Sequence, residues 1–139
     1  MAKKVRDVMT RPVRTLSADS TLRDAAREMR DGDIGSVIVM MNDGSICGIV
    51  TDRDIVIRGL AQGKNLETRL ADVCSRELVT LSPDQTIDEA IALMRENGVR
   101  RLPVEEGGRP VGILSLGDLA IERDEKSVLG QISAQPASH

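Results

Sequence analysis

Aromatic side chains are absent from this 139-residue chain, which contains no Phe, Tyr or Trp. Stacking of bases on aromatic platforms is therefore excluded, and with it most modules that bind single-stranded nucleic acid. Lys and Arg number 19 against 22 Asp and Glu, which gives a formal net charge of −3. That balance argues against binding to nucleic acid, which depends on basic side chains that neutralise the phosphates of its backbone. We expect no nucleic-acid partner and an interior built from Val, Ile, Leu, Met and Ala.

Histidine and cysteine are almost as scarce. The only His is His139, the last residue, and the two cysteines are Cys47 and Cys74. A histidine-based zinc site or catalytic triad is excluded, so we expect no metal site, no catalytic residues and no enzymatic activity. We expect Cys47 to be a buried, inert thiol in a strand and Cys74 to be more exposed. No disulfide between them is expected in a reducing cytosol.

Long hydrophobic runs are also missing. No stretch approaches 18 apolar residues, so we expect no membrane span. The charged N-terminus is not followed by the apolar stretch of a secretory signal, and the default location is the cytoplasm. Apolar residues make up 40% of the chain and charged residues 29%, which is typical of a globular domain.

Two copies of one unit fill most of the chain. Thr15-Leu16-Ser17 recurs 65 residues later as Thr80-Leu81-Ser82, and many neighbouring positions repeat at the same offset. Gly48-Ile49-Val50-Thr51 then recurs 64 residues later as Gly112-Ile113-Leu114-Ser115. The single deletion falls after Met40 in a predicted turn, where a residue is lost at little cost. An internal repeat of this size decides the architecture.

Each unit is predicted to run strand, helix, strand, strand, helix. The first helices carry apolar residues at i, i+3, i+4 and i+7: Leu22, Ala25, Ala26 and Met29, then Ile87, Ala90, Ile91 and Met94. We expect Gly32 and Gly98 to end these helices in the left-handed conformation. A second helix is expected over 52–60, with Ile55, Val56 and Leu60 on one side. A short helix is expected over 68–73.

The predicted boundaries divide the chain into three parts. Residues 1–66 form the first unit with its N-terminal segment and linker, 67–121 form the second unit, and 122–139 form a tail whose last residues, 133–139, are frayed. A unit of about 55 residues buries too little apolar surface to be comfortably stable alone. We therefore expect the two units to pack together and share a core.

The motifs within these units resemble those of CBS domains. Gly48 to Ile55 resembles the family signature, and Gly112 to Leu119 resembles it again. Three further matches are Val8-Met9-Thr10, Asp31 to Gly35 and Asn97 to Val104. The resemblance covers residues 5–121 and implies an α+β fold of two β-α-β-β-α CBS motifs packed sheet to sheet with pseudo-two-fold symmetry. The chain looks like a free-standing tandem CBS pair, or Bateman module.

The resemblance implies an adenosyl ligand, such as AMP, ADP, ATP, S-adenosylmethionine or an NAD-type molecule, in clefts between the motifs. No cofactor is required. Thr51 lies at a strand-to-helix junction, where its hydroxyl and free N–H groups suit a phosphate, and Asp54 suits a ribose diol. Ser115 and Asp118 repeat that spacing. By the same resemblance the backbone near Thr15 and Thr80, with apolar residues such as Ile38 and Pro103, flanks the adenine.

Helix capping is an alternative explanation of the same spacing. Thr51-x-x-Asp54 and Ser115-x-x-Asp118 both fit the capping box, in which a hydroxyl and a carboxylate satisfy free N–H groups. The sequence leaves ligand binding and capping both open.

Arginines are predicted to make the two clefts unequal. Arg100 and Arg101 stand where the first unit has Gly35 and Ser36, and the resemblance implies phosphate contacts there. We therefore expect the second unit to be the better phosphate site, with Arg53 compensating in the first unit. The alternative for Arg100 and Arg101 is an exposed pair at a strand start.

Two functions remain in view. The first is a regulatory sensor that binds an adenosyl ligand and changes its contacts with an unidentified protein partner. The second is a ligand-free structural or interaction dimer; some free-standing relatives are linked to hypoxia or stress. CBS pairs commonly dimerise into a flat disk, so the resemblance implies a homodimer in either case.

Overall fold

The computed structural model describes residues 3–74 and 79–124. The first unit contains β1 (Thr15–Ser17), α2 (Leu22–Gly32), β2 (Ser36–Met40), β3 (Ile46–Thr51) and α3 (Asp52–Asp54), preceded by α1 (Val5–Val8). The second unit contains α4 (Ile87–Asn97), β4 (Arg101–Glu106), β5 (Arg109–Ser115) and α5 (Leu116–Asp124). The predicted tail beyond residue 124 lies outside the described residues.

The two sheets share the antiparallel pairing of the last two strands of each unit. In the first sheet β1 pairs with β2 in parallel and β2 with β3 antiparallel. The second sheet contains only the antiparallel pair of β4 and β5 among the described residues. The strand predicted ahead of α4 is reduced to one parallel bridge between Leu81 and Val104, the counterpart of the pairing of Leu16 with Val39.

A proline explains the shortened strand. In the first unit the Ile38 N–H donates to the Arg14 carbonyl at 3.0 Å, which extends the pairing of β1 with β2. The repeat places Pro103 at the position of Ile38, and proline has no N–H to donate. The prediction of a full strand before α4 is therefore wrong, although the rest of the strand and helix order is confirmed.

Sheet-to-sheet packing is confirmed by the buried residues. Each unit has its own core beneath its helices. A third cluster joins Ile38 and Ile49 of the first sheet to Ile113 of the second, and all three are buried. Packing these apolar side chains removes them from water and holds the two sheets together.

Each core is completed by the segment that precedes the other unit. Val5 of α1 is fully buried in the core of the second unit, and its N–H donates to the Gln85 carbonyl at 2.9 Å. Leu70, in a single 3₁₀ turn (Leu70–Asp72) where a helix over 68–73 was predicted, is fully buried in the core of the first unit. Its N–H donates to the Ser20 carbonyl at 2.8 Å. The segment before each unit, which we call its leading segment, therefore packs in the core of the other unit. The boundary between residues 66 and 67 stays a prediction.

The two first helices end differently. Gly98 follows α4 with a φ of 63°, as predicted. Gly32, however, is the last residue of α2, and Asp33 adopts the left-handed conformation with a φ of 52°. An added Cβ at Gly32 would lie 2.7 Å from the Arg14 Nε atom, which is near the end of a flexible side chain and could move aside. The prediction that Gly32 is the left-handed residue is therefore wrong.

The helix predicted over 52–60 is α-helical only in α3. It continues as a wide π turn (Ile55–Gly59) and a 3₁₀ turn (Leu60–Gln62). Gly59 lies against Leu22, where an added Cβ would be 3.0 Å from Cδ1. The widened turn buries Ile55 but leaves Val56 51% and Leu60 53% exposed, so the three residues predicted to lie on one side of a helix differ in burial.

No helix within 3–74 or 79–124 has the length and apolar character needed to cross a membrane.

Candidate functional site

Two cavities lie where the units meet, and each combines residues from both units. The larger has a volume of 1090 Å³. It brings the Thr51 and Asp54 pair of the first unit against the segment before β4 in the second. Its lining residues are Ile49, Thr51, Asp52, Arg53, Asp54, Arg58, Val79, Asn97, Gly98, Val99, Arg100, Arg101, Ser115, Leu116 and Gly117.

The smaller cavity is the pseudo-symmetric counterpart, with a volume of 440 Å³. It places Ser115 and Asp118 against the segment before β2. Its lining residues are Thr10, Pro12, Val13, Arg14, Asp33, Ile34, Gly35, Ser36, Asp52, Arg101, Ile113, Ser115 and Asp118. The smaller volume lies within the range of about 300–1,000 Å³ usual for small-molecule sites, and the larger lies slightly above it.

Thr51 and Asp54 form a complete capping box. Thr51 ends β3, and its N–H donates to the Asp54 Oδ2 atom at 2.9 Å. In return the Asp54 N–H donates to the Thr51 Oγ1 atom at 3.0 Å. The other carboxylate oxygen, Oδ1, lies 3.8 Å from the Arg58 Nε atom, and the Asp54 side chain is 13% exposed. The capping alternative is thus confirmed as geometry, and it occupies only one carboxylate oxygen and one hydroxyl lone pair.

Ser115 and Asp118 repeat this box in the second unit. The Ser115 N–H donates to Asp118 Oδ2 at 3.2 Å, and the Asp118 N–H donates to Ser115 Oγ at 3.1 Å. The Thr10 hydroxyl also donates to Asp118 Oδ2, at 3.3 Å. The N-terminal segment therefore supplies part of the polar wall of the smaller cavity. The resemblance of Val8-Met9-Thr10 to a family motif could have identified Thr10 as a site residue from the sequence.

The arginines of the second unit lie in the larger cavity. Arg100 was expected beside Ser115 and Asp118, but it lines the cavity that contains Thr51 and Asp54. Arg101 lines both cavities, because it begins β4 directly opposite Ser115 at the end of β5. Ser115, the second unit's own hydroxyl, lines the same cavity as Arg100, whereas Asp118 lines only the smaller one. The phosphate contact expected of Arg100 stays a prediction.

Charge distinguishes the two cavities. Four arginines line the larger one, Arg53, Arg58, Arg100 and Arg101, against two aspartates. Two arginines line the smaller one against three aspartates. The larger cavity is therefore suited to an anionic group. Sequence reasoning missed Arg58, although its spacing of four residues from Asp54 was a usable signal.

The four residues named for the adenine line neither cavity, although chain neighbours of Thr15 and Thr80 do: Arg14 lines the smaller cavity and Val79 the larger. Ile38 is fully buried between the sheets, and Pro103 is buried opposite Ile113. Thr80 donates its hydroxyl to Glu105 Oε2 at 3.2 Å, and Thr15 is exposed. Ile49 and Val79 supply apolar wall in the larger cavity instead. The adenine role of these four residues remains a prediction.

A metal centre has no candidate ligands in the described part of the chain. No group of three or more His, Cys, Asp or Glu side chains there could hold a metal ion.

Comparison with known proteins identifies the family. The CBS domain family matches residues 5–60 and again 70–125. The CBS domain-containing protein YhcV of Bacillus subtilis is 39% identical over 119 residues, covering 86% of this chain and 84% of its own. The chain belongs to the CBS domain family and carries a tandem pair of these domains.

Solved structures show the same architecture. The crystal structure of Hypoxic Response Protein I with two coordinated zinc ions matches with a TM-score of 0.72 at 35% identity, covering 85% of this chain and 97% of that one. The corresponding Hypoxic response protein 1 is from Mycobacterium tuberculosis. The CBS domain pair of protein MJ0100, in complex with 5′-methylthioadenosine and S-adenosyl-L-methionine, matches with a TM-score of 0.79 at 23% identity, covering 91% of this chain and all of that one. The likeness to MJ0100 shows the fold. CBS pairs are commonly regulatory modules that bind ligands.

Proposed function

We propose that this CBS pair is a regulatory module that binds an adenine nucleotide, AMP, ADP or ATP, in the larger cavity. The observation that carries the proposal is the concentration of four arginines around the Thr51 and Asp54 pair. Guanidinium groups bind phosphates through a planar set of donors. A cavity of 1090 Å³ has room for a nucleotide.

Each part of the ligand has a candidate partner in that cavity. The Asp54 Oδ1 atom, which the capping box leaves unused, accepts from the ribose diol. Arg53, Arg58 and Arg100 bind the phosphates, and the Thr51 hydroxyl still has its proton to donate. The proposal assigns no catalytic step to either cavity.

The smaller cavity suits a different adenosyl ligand. Its three aspartates outnumber its two arginines, so a polyphosphate is disfavoured there. S-adenosylmethionine, whose sulfonium is positively charged, fits this charge balance better. The binding of adenosyl compounds by the MJ0100 pair is consistent with this choice of ligand class.

Calorimetric titration with adenosine, AMP, ADP and ATP tests the assignment. The affinity should rise with each added phosphate and fall as salt is raised. Arg100→Ala should weaken ATP more than adenosine, whereas the matched control Arg109→Ala, an exposed arginine outside both cavities, should leave both unchanged. Failure of all four compounds to bind would refute the proposal. Because Trp and Tyr are absent, an absorbance band near 260 nm in the purified protein would reveal co-purified nucleotide directly.

A second copy of this chain is the proposed partner for the exposed apolar face formed by Val56, Ile57 and Leu60. These side chains are 45–53% exposed on consecutive turns after α3. Large apolar residues clustered on one face mark an association surface. A protein that receives the signal is also part of the proposal, and its identity is open.

A ligand-free interaction dimer is the second candidate function. It is favoured by one observation: both hydroxyl and acid pairs are fully explained by helix capping. The nucleotide titration separates the two candidates, because an interaction dimer would show self-association without any nucleotide binding.

A further inference from the structure

The two cysteines lie side by side in the core of the first unit. Cys47 is in the middle of β3, and Cys74 follows the 3₁₀ turn of the segment that leads to the second unit. Their Sγ atoms are 3.4 Å apart although 27 positions separate them in the chain. Both are reduced thiols and both are buried, with 7% and 6% exposure. The expectation that Cys74 is the more exposed thiol is therefore wrong.

The surrounding packing holds this pair together. The Cys74 N–H donates to the Leu70 carbonyl at 2.9 Å, which closes the turn, and both Leu70 and Val73 are buried in the same core as Cys47. The contact joins a central strand to the connection between the two units. A covalent bond at this point would fasten the connection to β3.

We propose that Cys47 and Cys74 form a reversible oxidation site that takes a small peroxide. One thiolate attacks a peroxide oxygen, so that an S–O bond forms, the O–O bond breaks and the departing hydroxide takes up a proton to become water. The second thiolate attacks the sulfenic sulfur, the S–S bond forms and the S–O bond breaks, releasing a second water. Overall two thiols lose two electrons and two protons, and one hydrogen peroxide becomes two waters.

Geometry favours disulfide formation over further oxidation. The second sulfur is already in contact, so it intercepts the sulfenic acid before another peroxide does. The sulfurs must close from 3.4 Å to about 2.05 Å, a change that a short turn can absorb. Burial admits hydrogen peroxide more readily than a bulky disulfide oxidant. A small dithiol reverses the reaction by exchange.

Oxidation also affects the larger cavity. β3 carries Cys47 and ends at Thr51, and Val79, which lines the same cavity, follows Cys74 by five residues. The bond therefore restrains β3, whose last residue lines that cavity. The oxidation itself does not depend on the proposed nucleotide binding.

Treatment of the full chain with hydrogen peroxide tests the proposal. The intact mass should fall by about 2 Da, and both thiols should become resistant to alkylation under denaturing conditions. A tryptic digest without reductant should join the peptides Asp31–Arg53 and Leu70–Arg76, and dithiothreitol should separate them. The unfolding midpoint should rise by about 10 °C, because a covalent loop restricts the unfolded chain.

Cys74→Ala supplies the matched control. It leaves Cys47 without a resolving thiol, so peroxide should carry Cys47 to the sulfinic acid instead of a disulfide. If this variant does not fold, the mass and peptide map of the unmodified sequence still decide. Two alkylatable thiols after peroxide, a cross-link between two chains, or sulfinic acid in the unmodified sequence would each overturn the proposal.

Discussion

Asp54→Asn separates capping from ligand binding in the larger cavity. The amide oxygen of Asn can keep the bond that Asp54 Oδ2 accepts from the Thr51 N–H at 2.9 Å. The change falls on the Oδ1 side, where an NH₂ group replaces the oxygen that lies 3.8 Å from Arg58 Nε. Capping is therefore retained, and the charged acceptor proposed for the ribose is lost.

The expected loss of affinity follows from one charged hydrogen bond. A hydrogen bond to a charged group contributes about 1.5–3 kcal/mol. Because about 1.4 kcal/mol corresponds to a tenfold change in Kd, ATP and adenosine should both bind roughly 10- to 150-fold more weakly. The stability of the free protein should change by less than about 1 kcal/mol, since the Arg58 pair is long and half-exposed on the arginine side.

Calorimetric titration measures the affinity, and thermal unfolding followed with an extrinsic dye measures the stability. The matched control is Asp88→Asn, which removes one negative charge from an exposed position of α4 outside both cavities. An Asp54→Asn protein that binds ATP as tightly as the control would show that the carboxylate serves only as a cap. A large fall in the unfolding midpoint of the free protein would show that the cap was not retained.

Three further predictions concern packing, pH and assembly. Leu70→Ala should cost about 3 kcal/mol of unfolding free energy because Leu70 is fully buried, whereas Leu66→Ala, at a 41% exposed position nearby, should cost under about 0.5 kcal/mol; equal losses in denaturant titration would contradict the exchanged packing. The pKa values of Asp24 and Glu89 are lowered, first by backbone N–H donors at their helix starts, so their contribution to stability is present above their unfolded pKa values and lost as the pH falls through their lowered folded values; a midpoint that rises on acidification would contradict this. Leu60→Lys should convert a dimer into a monomer in analytical ultracentrifugation without lowering the unfolding midpoint, because Leu60 is 53% exposed; an unchanged sedimentation coefficient would exclude this face as the interface.

Most of the fold could be predicted from the periodic spacing of apolar residues and from the internal repeat. The spacing of apolar residues located α2 and α4, and the offset of 65 residues correctly paired Leu16 with Leu81. The shortened strand was within reach of the sequence, because Pro103 visibly replaces Ile38. The end of α2 was not, since nothing in the sequence shows that Asp33 rather than the adjacent Gly32 adopts the left-handed conformation.

It was easier to predict which residues belong to the candidate sites than which residues of the two units face each other there. Thr51 with Asp54 and Ser115 with Asp118 stand in the two cavities as expected. The presence of Arg100 in the cavity that holds Thr51 and Asp54 was not predicted, because the sequence gives the order of residues within a unit but not which unit faces them. Pseudo-two-fold packing decides that relation, and it places the facing segment of one unit over the hydroxyl and acid of the other.

The exchanged leading segments have a consequence for the autonomy of either half. A polypeptide with a single unit would expose the part of its core that Val5 or Leu70 of the other leading segment covers. The buried residue of its own leading segment would have no core to pack into. Two such polypeptides would complete each other's cores by exchanging their leading segments, which is the arrangement of a domain-swapped dimer. When the two units are joined in one chain, this exchange is intramolecular and does not depend on protein concentration. The packing of this chain therefore corresponds to that of an internally tethered dimer, in which each half supplies a buried residue to the core of the other.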